Sequence, residues 1–493
     1  MCPIESPRPS VVPRLTAVIG AATAVCLVLG AASPPPAQAA PANGDWPRWE
    51  SPEDAGFSSE RLTEAEQLWW AIDDAPIAAF FLVHKGRVLA AFGDETADHQ
   101  CHSVRKSFLS ALYGIHVAKG TINLEATLEE LGIDDHTPLT QAEKQAQVRD
   151  LLMARSGVYL EAACETPEMR DARPARGSHP PGTFWYYNNW DFNALGTIFR
   201  QETGRDIFAE FKRRIARPVG MQDFRASRCS YYYETQYSDH PCYVFRMSAR
   251  DRARFGQLFL QRGHWEGRQL ISEAWIAEST HGYSEMDSIA EIPGASYGYM
   301  WVSLSKEFFA ANTQDRRLHH LWGFQASGYG GQTIYVLPDA EMVIVTACDV
   351  PAGCNLEGGE FGPVIETILT AREIVDLEAR RPGVRERFAS PGDTIHLKAK
   401  IKNRAAVATV ATTVEFYLAS TERLGEELHR LGDAELRRMA AGSRKTIRLA
   451  VPIPENLEPG SYRLIAWVDS DKANYDLRRD NNLRFGRRVL EIH

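Results

Sequence analysis

The chain has 493 residues, 44% of them hydrophobic and 24% charged, with a formal net charge of −9 at pH 7. That length is too great for one small domain and allows two or three cores at roughly 100 to 200 residues each. The acidic balance, with no basic stripe, argues against nucleic acid as a partner, and beyond residue 39 no segment is apolar enough to span a bilayer.

Residues 1–39 read as an export signal. Arg8 and Arg14 precede the apolar stretch LTAVIGAATAVCLVLGAA, and Ala37-Gln38-Ala39 supplies a small-residue cleavage site. Cleavage is expected after Ala39, leaving a secreted, extracytoplasmic protein that starts at Ala40. An uncleaved anchor is the alternative, since the apolar stretch approaches spanning length. Val25 stands before Cys26 where lipid attachment would want a small residue. Six cysteines follow the signal: Cys101, Cys164, Cys229, Cys242, Cys348 and Cys354. An even number in an oxidising compartment points to disulfides, although six cysteines allow 15 connectivities. Cys229 with Cys242 and Cys348 with Cys354 would close short loops, leaving Cys101 with Cys164; free buried thiols are the alternative.

After a Pro- and Gly-containing spacer, IAAFFLVHKGRVLAAFGD (77–94) reads as two apolar strands around a Lys85-Gly86 turn. CHSVRKSFLSALYGIHVAKG (101–120) then runs at helical spacing, with apolar positions at Val104, Phe108, Ala111, Leu112, Ile115 and Ala118 for a core-facing side. Ser103 and Lys106 share a face one turn apart. Gly120 occupies the position of a C-terminal cap, so Ser103 falls in the first turn, at the positive end of the helix dipole. Helical patterns dominate to about residue 280, including the segment that ends in LLMARSG and the FNALGTIFRQETG run from Phe192. Strands return at 297–304, 328–338 and 341–349. Strands at both ends with helices between them predict one α/β domain over 40–375, its antiparallel sheet completed by distant pieces of chain. Around 378–393 charge and proline replace apolar runs, and 376–383 reads as a linker. From 384 to 493, TIHLKAKI, VEFYL, TIRLAV and YRLIAWV alternate with period two, as half-buried strands of a separate all-β sandwich do.

Three segments carry chemistry. A serine hydroxyl is a poor nucleophile until a base takes its proton, and a lysine can be that base if burial or a second cation suppresses its charge. Ser103-x-x-Lys106 at a helix start meets that need; Ser303 to Lys306 repeats the spacing but opens no long amphipathic helix, and reads as a loop coincidence. Taken alone, Ser103-x-x-Lys106 reads sooner as a helix N-cap followed by a solvated lysine, and the other two segments reverse that reading. In PGTFWYYNNWDFNALG (181–196), Tyr187 and Asn189, two apart in an extended or loop segment, point to one side; a tyrosine sharing its proton with a lysine can act as base, and an asparagine can hold a substrate carbonyl or amide. In FQASGYGGQTIYVLPDAEMVIV (324–345), Ser327-Gly328 at the start of a strand lets the backbone approach a ligand closely, and an amide there, with that of Ser103, would form a two-donor oxyanion hole.

Ser103-x-x-Lys106, Tyr187-x-Asn189 and Ala326-Ser327-Gly328, in that order, with LLMARSG, PGT and FRMSARDRARFGQ, resemble the serine β-lactamase and penicillin-binding-protein superfamily over roughly residues 50–375. The likeness is to its class C-like branch, which also holds esterases, D-amino-acid peptidases and 6-aminohexanoate-dimer hydrolases. It implies an antiparallel α/β sheet plus an all-helical subdomain with the site between them. It implies Ser103 as acylated nucleophile, Lys106 as its deprotonating partner, Tyr187 as acid/base, Asn189 as its hydrogen-bonding companion, and the Tyr329 amide as second oxyanion donor beside Ser327 and Gly328. Where lactamases and transpeptidases of the family carry K-T-G, this chain has Ala326-Ser327-Gly328, which removes the cation that binds the carboxylate of penicillins and peptide termini. Trp322, Phe324 and Tyr231 to Tyr233 are candidates for a more apolar pocket. The C-terminal ASPGDTIHLKAKIKN, EPGSYRLIAWVDSD and RRDNN resemble the CARDB type of bacterial Ig-like adhesion module.

The expectation is therefore an exported serine hydrolase that cleaves an ester or amide of a small-molecule or peptide-like substrate through an acyl-enzyme on Ser103. The alternatives are a β-lactamase or D,D-peptidase, and an inert binding or sensor protein on the same scaffold. The β domain would meet a cell surface or protein partner. No cofactor and no catalytic metal are expected: His319-His320 lacks a third ligand at suitable spacing, and Asp469, Asp471, Asp476 and Asp480 read as a solvated charged turn rather than a calcium site.

Overall fold

The computed structural model describes residues 44–286, 292–356, 358–405, 407–420, 428–476 and 478–493; the segment read as an export signal lies outside them. Among the described residues no helix is long and apolar enough to cross a membrane.

Helix α1 (Ser59–Trp70) leads into the expected hairpin, β1 (Ala78–His84) and β2 (Arg87–Gly93), joined through Lys85 and Gly86 with φ of 50° and 73°. The chain then leaves the sheet for α2 (Arg105–Val117), α3 (Asn189–Thr203) and α4 (Ala249–Leu260). It returns as β3 (Ser284–Glu285), β4 (Ala295–Tyr297), β5 (Val302–Leu304), β6 (Gly323–Gly328), β7 (Gln332–Leu337) and β8 (Met342–Cys348), followed by α5 (Gly358–Thr370). The eight strands form one antiparallel sheet in the order β2-β1-β8-β7-β6-β5-β4-β3, so the N-terminal hairpin is zipped onto the last strand, Phe81 opposite Val345. The sheet is completed by distant chain segments, as the pattern of elements predicts.

Strand alternation sends neighbours to opposite faces. Phe80 meets Trp69 of α1 at 5.6 Å between ring centroids, and Phe81 meets Trp46, over which Arg254 of α4 is laid. Gly256 lets α4 close on the sheet, since a Cβ there would stand 2.5 Å from Val343 Cγ1. Helix α2 is buried on all sides from Arg105 to His116 rather than on one face, and of its six apolar positions only Ala118 is exposed. The reason is its place between the sheet and the helical subdomain: Phe108 packs against Phe211, Phe245 and Phe255, and Tyr113 Oη donates to Leu195 O of α3.

The structure corrects the expected strand limits, linker and disulfides. The 297–304 strand is two strands, β4 and β5, paired as a hairpin whose turn holds Met300 at φ 61°; Met300 N donates to Leu152 O and its carbonyl accepts from Ser107 Oγ, so tertiary bonds fix the break. The 328–338 strand is likewise broken: Ser327 and Gly328 end β6, and Gly330 and Gly331, at φ 75° and 77°, turn the chain into β7. The 376–383 linker is strand β9 (Leu377–Val384), with Leu377, Ala379, Pro382 and Val384 buried and the charges of Arg380 and Arg381 outside. Of the three disulfides only Cys348–Cys354 forms. Cys242 stands opposite Tyr232, out of register with Cys229, and it is Cys164 whose thiol lies beside that of Cys242.

The C-terminal domain adds β10 (Thr394–Asn403), β11 (Thr412–Ser420), β12 (Leu428–Leu436), β13 (Arg444–Pro452), β14 (Gly460–Val468) and β15 (Leu483–Ile492). Sheet β9-β10-β13 faces sheet β15-β14-β11-β12 across a core in which Ile395, Leu397, Ala399 and Ile401 meet residues such as Phe416 and Leu464. It docks on the turn of the first hairpin, where Lys85 Nζ donates to Ala473 O (2.8 Å) and Lys472 O (3.1 Å). Asp469 and Asp476 do not form a solvated turn. Asp469 is fully buried and accepts from Thr412 Oγ1 and Asn474, and Asp476 accepts from Leu377 N. His320 Nε2 lies 3.3 Å from Tyr475 Oη across the domain contact.

Phe108→Ala removes the aromatic hub that joins α2 to three neighbours, and is expected to cost about 3–5 kcal/mol, read as a lower midpoint in urea unfolding of the intact chain.

Candidate active site

Cys101 N donates to Phe245 O, and the chain then takes a 3₁₀ turn, His102–Val104, before α2 begins. His102 has φ 45°, a left-handed conformation that costs a non-glycine residue on the order of 1 kcal/mol. Ser103 is thereby presented just ahead of the helix, and Lys106, one turn on, reaches back to it.

Lys106 Nζ lies 2.8 Å from Ser103 Oγ and 2.6 Å from Tyr187 Oη, although 81 residues separate the lysine from the tyrosine. The lysine is 2% exposed, with Nζ over the rings of Tyr187 and Phe192. Burial pushes its amine well below the ordinary lysine range, and the neighbouring Arg105 guanidinium pushes it further; no carboxylate is among the charges acting on it. Burial raises the Tyr187 phenol, while a hydrogen bond from Ser103 and the Arg105 charge oppose that rise. A neutral amine between a hydroxyl and a phenol can accept the serine proton and pass it on, so the trio is equipped for nucleophilic and acid–base chemistry.

Asn189 is close to this group but not in an extended segment. Asn188 caps α3, its Oδ1 accepting from Trp190 N, and this folds Asn189 into the first helical turn. There Asn189 Nδ2 donates to Cys164 O at 2.7 Å, and among the described residues its buried Oδ1 has no partner. The end of β6 closes the other side. A Cβ on Gly328 would stand 2.8 Å from Cys101 O and 2.9 Å from Ser103 N, so only glycine lets the strand lie against the Ser103 turn. Ser327 pairs with Thr333, and Tyr329 follows as an exposed residue whose ring meets His102 edge-on at 5.7 Å.

The cleft has two lobes that share Ser103, Lys106, Thr166, Met169 and Tyr329. The smaller, about 140 Å³, is walled by Arg105, Cys164, Asn189 and Cys242. The larger, about 330 Å³, is walled by Tyr187, Met286, Tyr297, Met300, Val302 and the β6 backbone from Gln325 to Gly328. The aromatic candidates for the pocket are elsewhere: Phe324 packs on Trp301 and Phe259, Tyr231 on Phe208, and Trp322, Tyr232 and Tyr233 are exposed outside both lobes. Methionines supply the apolar wall instead, from loops that no periodic pattern marks. Ser303 and Lys306 lie on β5 and in the short helix after it, also away from the cleft. Sequence reasoning missed Arg105 and the Cys164/Cys242 pair. Arg105 stands in plain view between Ser103 and Lys106, but its burial is a tertiary fact.

One further group of potential ligands, Asp135, His136 and Asp239, lies outside the cleft, and Asp135 already accepts from Trp190 Nε1, Ser238 Oγ and Asp239 N.

With this geometry in hand, comparison with known proteins gives a class. The Beta-lactamase family matches residues 66–352 and CARDB matches residues 375–484; the chain belongs to the Beta-lactamase family and carries a CARDB domain after it. Similar solved structures include a candidate 6-aminohexanoate-dimer hydrolase from Bacillus anthracis, at 20% identity over 68% of this chain and 88% of that one, with a TM-score of 0.46. A penicillin-binding-protein homologue from Caulobacter crescentus is 16% identical over 64% and 99%, with a TM-score of 0.46. A class C β-lactamase from Rhodobacter sphaeroides is 16% identical over 63% and 99%, with a TM-score of 0.45. No curated protein matches the chain.

The depressed Lys106 amine makes a stability prediction. Between its folded value and the unfolded value of about 10.4, the unfolded chain holds one proton more, so folding gains stability as pH rises through that window. The unfolding free energy of the wild type minus that of Lys106→Met should climb with pH between 7 and 9, by at most about 1.4 kcal/mol per unit. Urea titrations at several pH values read it; a flat or falling difference would mean that the amine stays charged.

Proposed function

We propose that the protein is a serine hydrolase that cleaves an ester or amide through an acyl-enzyme on Ser103. The observation that carries this is the placement of one buried amine within hydrogen-bond distance of both a serine hydroxyl and a tyrosine phenol, at the junction of two lobes. Ser103 Oγ attacks the carbonyl carbon as Lys106 Nζ takes the hydroxyl proton. The carbonyl oxygen, now an oxyanion, accepts from the Ser103 and Tyr329 amides, each such donor being worth ~10²–10³ in rate. The intermediate collapses as the carbon–heteroatom bond breaks, and the leaving oxygen or nitrogen takes its proton from Tyr187, which recovers one from Lys106. Water then adds to the acyl carbon, gives a proton to the same pair, and releases the acid and Ser103.

Membership of the Beta-lactamase family also favours a second reading, β-lactam hydrolysis or D,D-peptidase action. Ala326, 2% exposed in the strand beside the cleft, offers no cation for a β-lactam carboxylate. Nitrocefin turnover is therefore expected to be weak beside that of simple esters. For export, the proposal is that N-terminal sequencing of the secreted protein begins at Ala40.

A fluorophosphonate probe should label the wild type, and Ser103→Ala should abolish the labelling; undiminished labelling of that variant would refute the assignment. Lys106→Ala should slow acylation by ~10²–10⁴. Gly328→Ala forces the strand away from the Ser103 amide and should cost ~10²–10³ in kcat while leaving circular dichroism unchanged.

A further inference from the structure

Arg105 is 4% exposed, and its Nη1 has no hydrogen-bond partner among the described residues. Nη2 donates to Asn193 Oδ1 at 3.2 Å, and the guanidinium lies 4.2 Å from the centre of the Tyr243 ring. The ionisable groups acting on it are the thiols of Cys242 and Cys164 and the phenols of Tyr243 and Tyr187, with no carboxylate among them. Cys242 is the first of these, and the guanidinium still keeps one buried N–H without an acceptor, which a planar carboxylate suits. Asn189 Oδ1, also buried and unpartnered in the smaller lobe, is an acceptor and takes no part in holding an anion.

The two lobes differ in which half of a substrate they can take. Tyr187, which returns the proton to the leaving group, lines only the larger lobe, whereas Arg105 and Asn189 line only the smaller. The leaving group therefore departs through the larger lobe and the acyl chain occupies the smaller. A cavity of about 140 Å³ is close to the roughly 150 Å³ that holds a benzene-sized group of six heavy atoms.

We propose that the smaller lobe is an anion subsite in which Arg105 binds a carboxylate at the far end of a short acyl chain, so that the enzyme selects half-esters or half-amides of small dicarboxylic acids. This rests on the serine-hydrolase reading, and it places the substrate-binding cation on the acyl side of Ser103, whereas Ala326 leaves β6 without one.

The test compares two activated esters of matched size: the 4-nitrophenyl monoester of glutaric acid and the 4-nitrophenyl ester of glutaramic acid, its neutral carboxamide analogue. The wild type should show a higher kcat/KM for the carboxylate. Arg105→Gln should lower the carboxylate-to-carboxamide ratio by roughly tenfold to a hundredfold, the range of a charge-assisted hydrogen bond, and Arg105→Lys should keep part of it. The ratio removes any effect of Arg105 on Lys106 that is common to both substrates. Free glutarate, titrated calorimetrically into Ser103→Ala, should bind saturably and fail to bind once Arg105→Gln is added. A wild-type ratio at or below one, or a ratio unchanged in Arg105→Gln, overturns the subsite even if both esters are cleaved. Arg105-dependent glutarate binding with no turnover of either ester would instead uphold the subsite and sink the hydrolase reading.

Discussion

Lys106 is closed off from water beside a second cation and without a carboxylate, and the rest of the domain is arranged so that this can be so. Desolvation disfavours an ammonium in such a place and pushes the amine well below the ordinary lysine range. The resulting amine still needs polar neighbours, and Ser103 and Tyr187 supply them. Keeping water away demands that α2 be enclosed on every side, by α3, α4 and the aromatic cluster around Phe108. The sheet, the helical subdomain and the cleft between them are in this sense the housing of one amine.

Lys85 shows what a different setting does to the same side chain. Burial lowers its amine too, but Glu341 at 3.5 Å opposes that shift, and Lys85 Nζ donates to the carbonyls of Lys472 and Ala473 in the CARDB domain. Donating to both, it keeps its protons and so serves as a strut between domains. Parallel pairing of Ile374 and Val375 with Tyr475 and Asp476, and Arg372 over the Tyr475 ring, extend that contact. The β domain thus rests on the hairpin turn, and none of its residues lines either lobe of the cleft.

Apolar surface dominates both lobes of the cleft, which differ in the buried polar groups that the smaller one holds. Arg105 and Asn189 leave hydrogen-bonding capacity open in the smaller lobe, while Met286, Met300 and Val302 give the larger lobe an adaptable surface. Gly328 joins the two by letting β6 pass within contact of the Ser103 amide. The division comes from position more than composition, for Ala326 shows that the strand itself carries no charge into the site.

The sequence determined a good deal by itself. Period two marked the sandwich strands because each has one wet and one dry face, and Ile395, Leu397, Ala399 and Ile401 are buried as that pattern requires. The hairpin at Lys85-Gly86 and the Ser103/Lys106 adjacency followed from local geometry, a tight turn and a single helical turn. Tertiary structure alone decided the rest. Strand 297–304 broke at Met300 because distant groups bond its backbone, Asn189 joined a helix because Asn188 caps it, and Cys164 met Cys242 because a loop and a hairpin converge. Above all, the approach of Tyr187 to Lys106 across 81 residues, and the burial of Arg105 among thiols and phenols, depend on how layers pack, and packing is a relation among segments that no one of them contains.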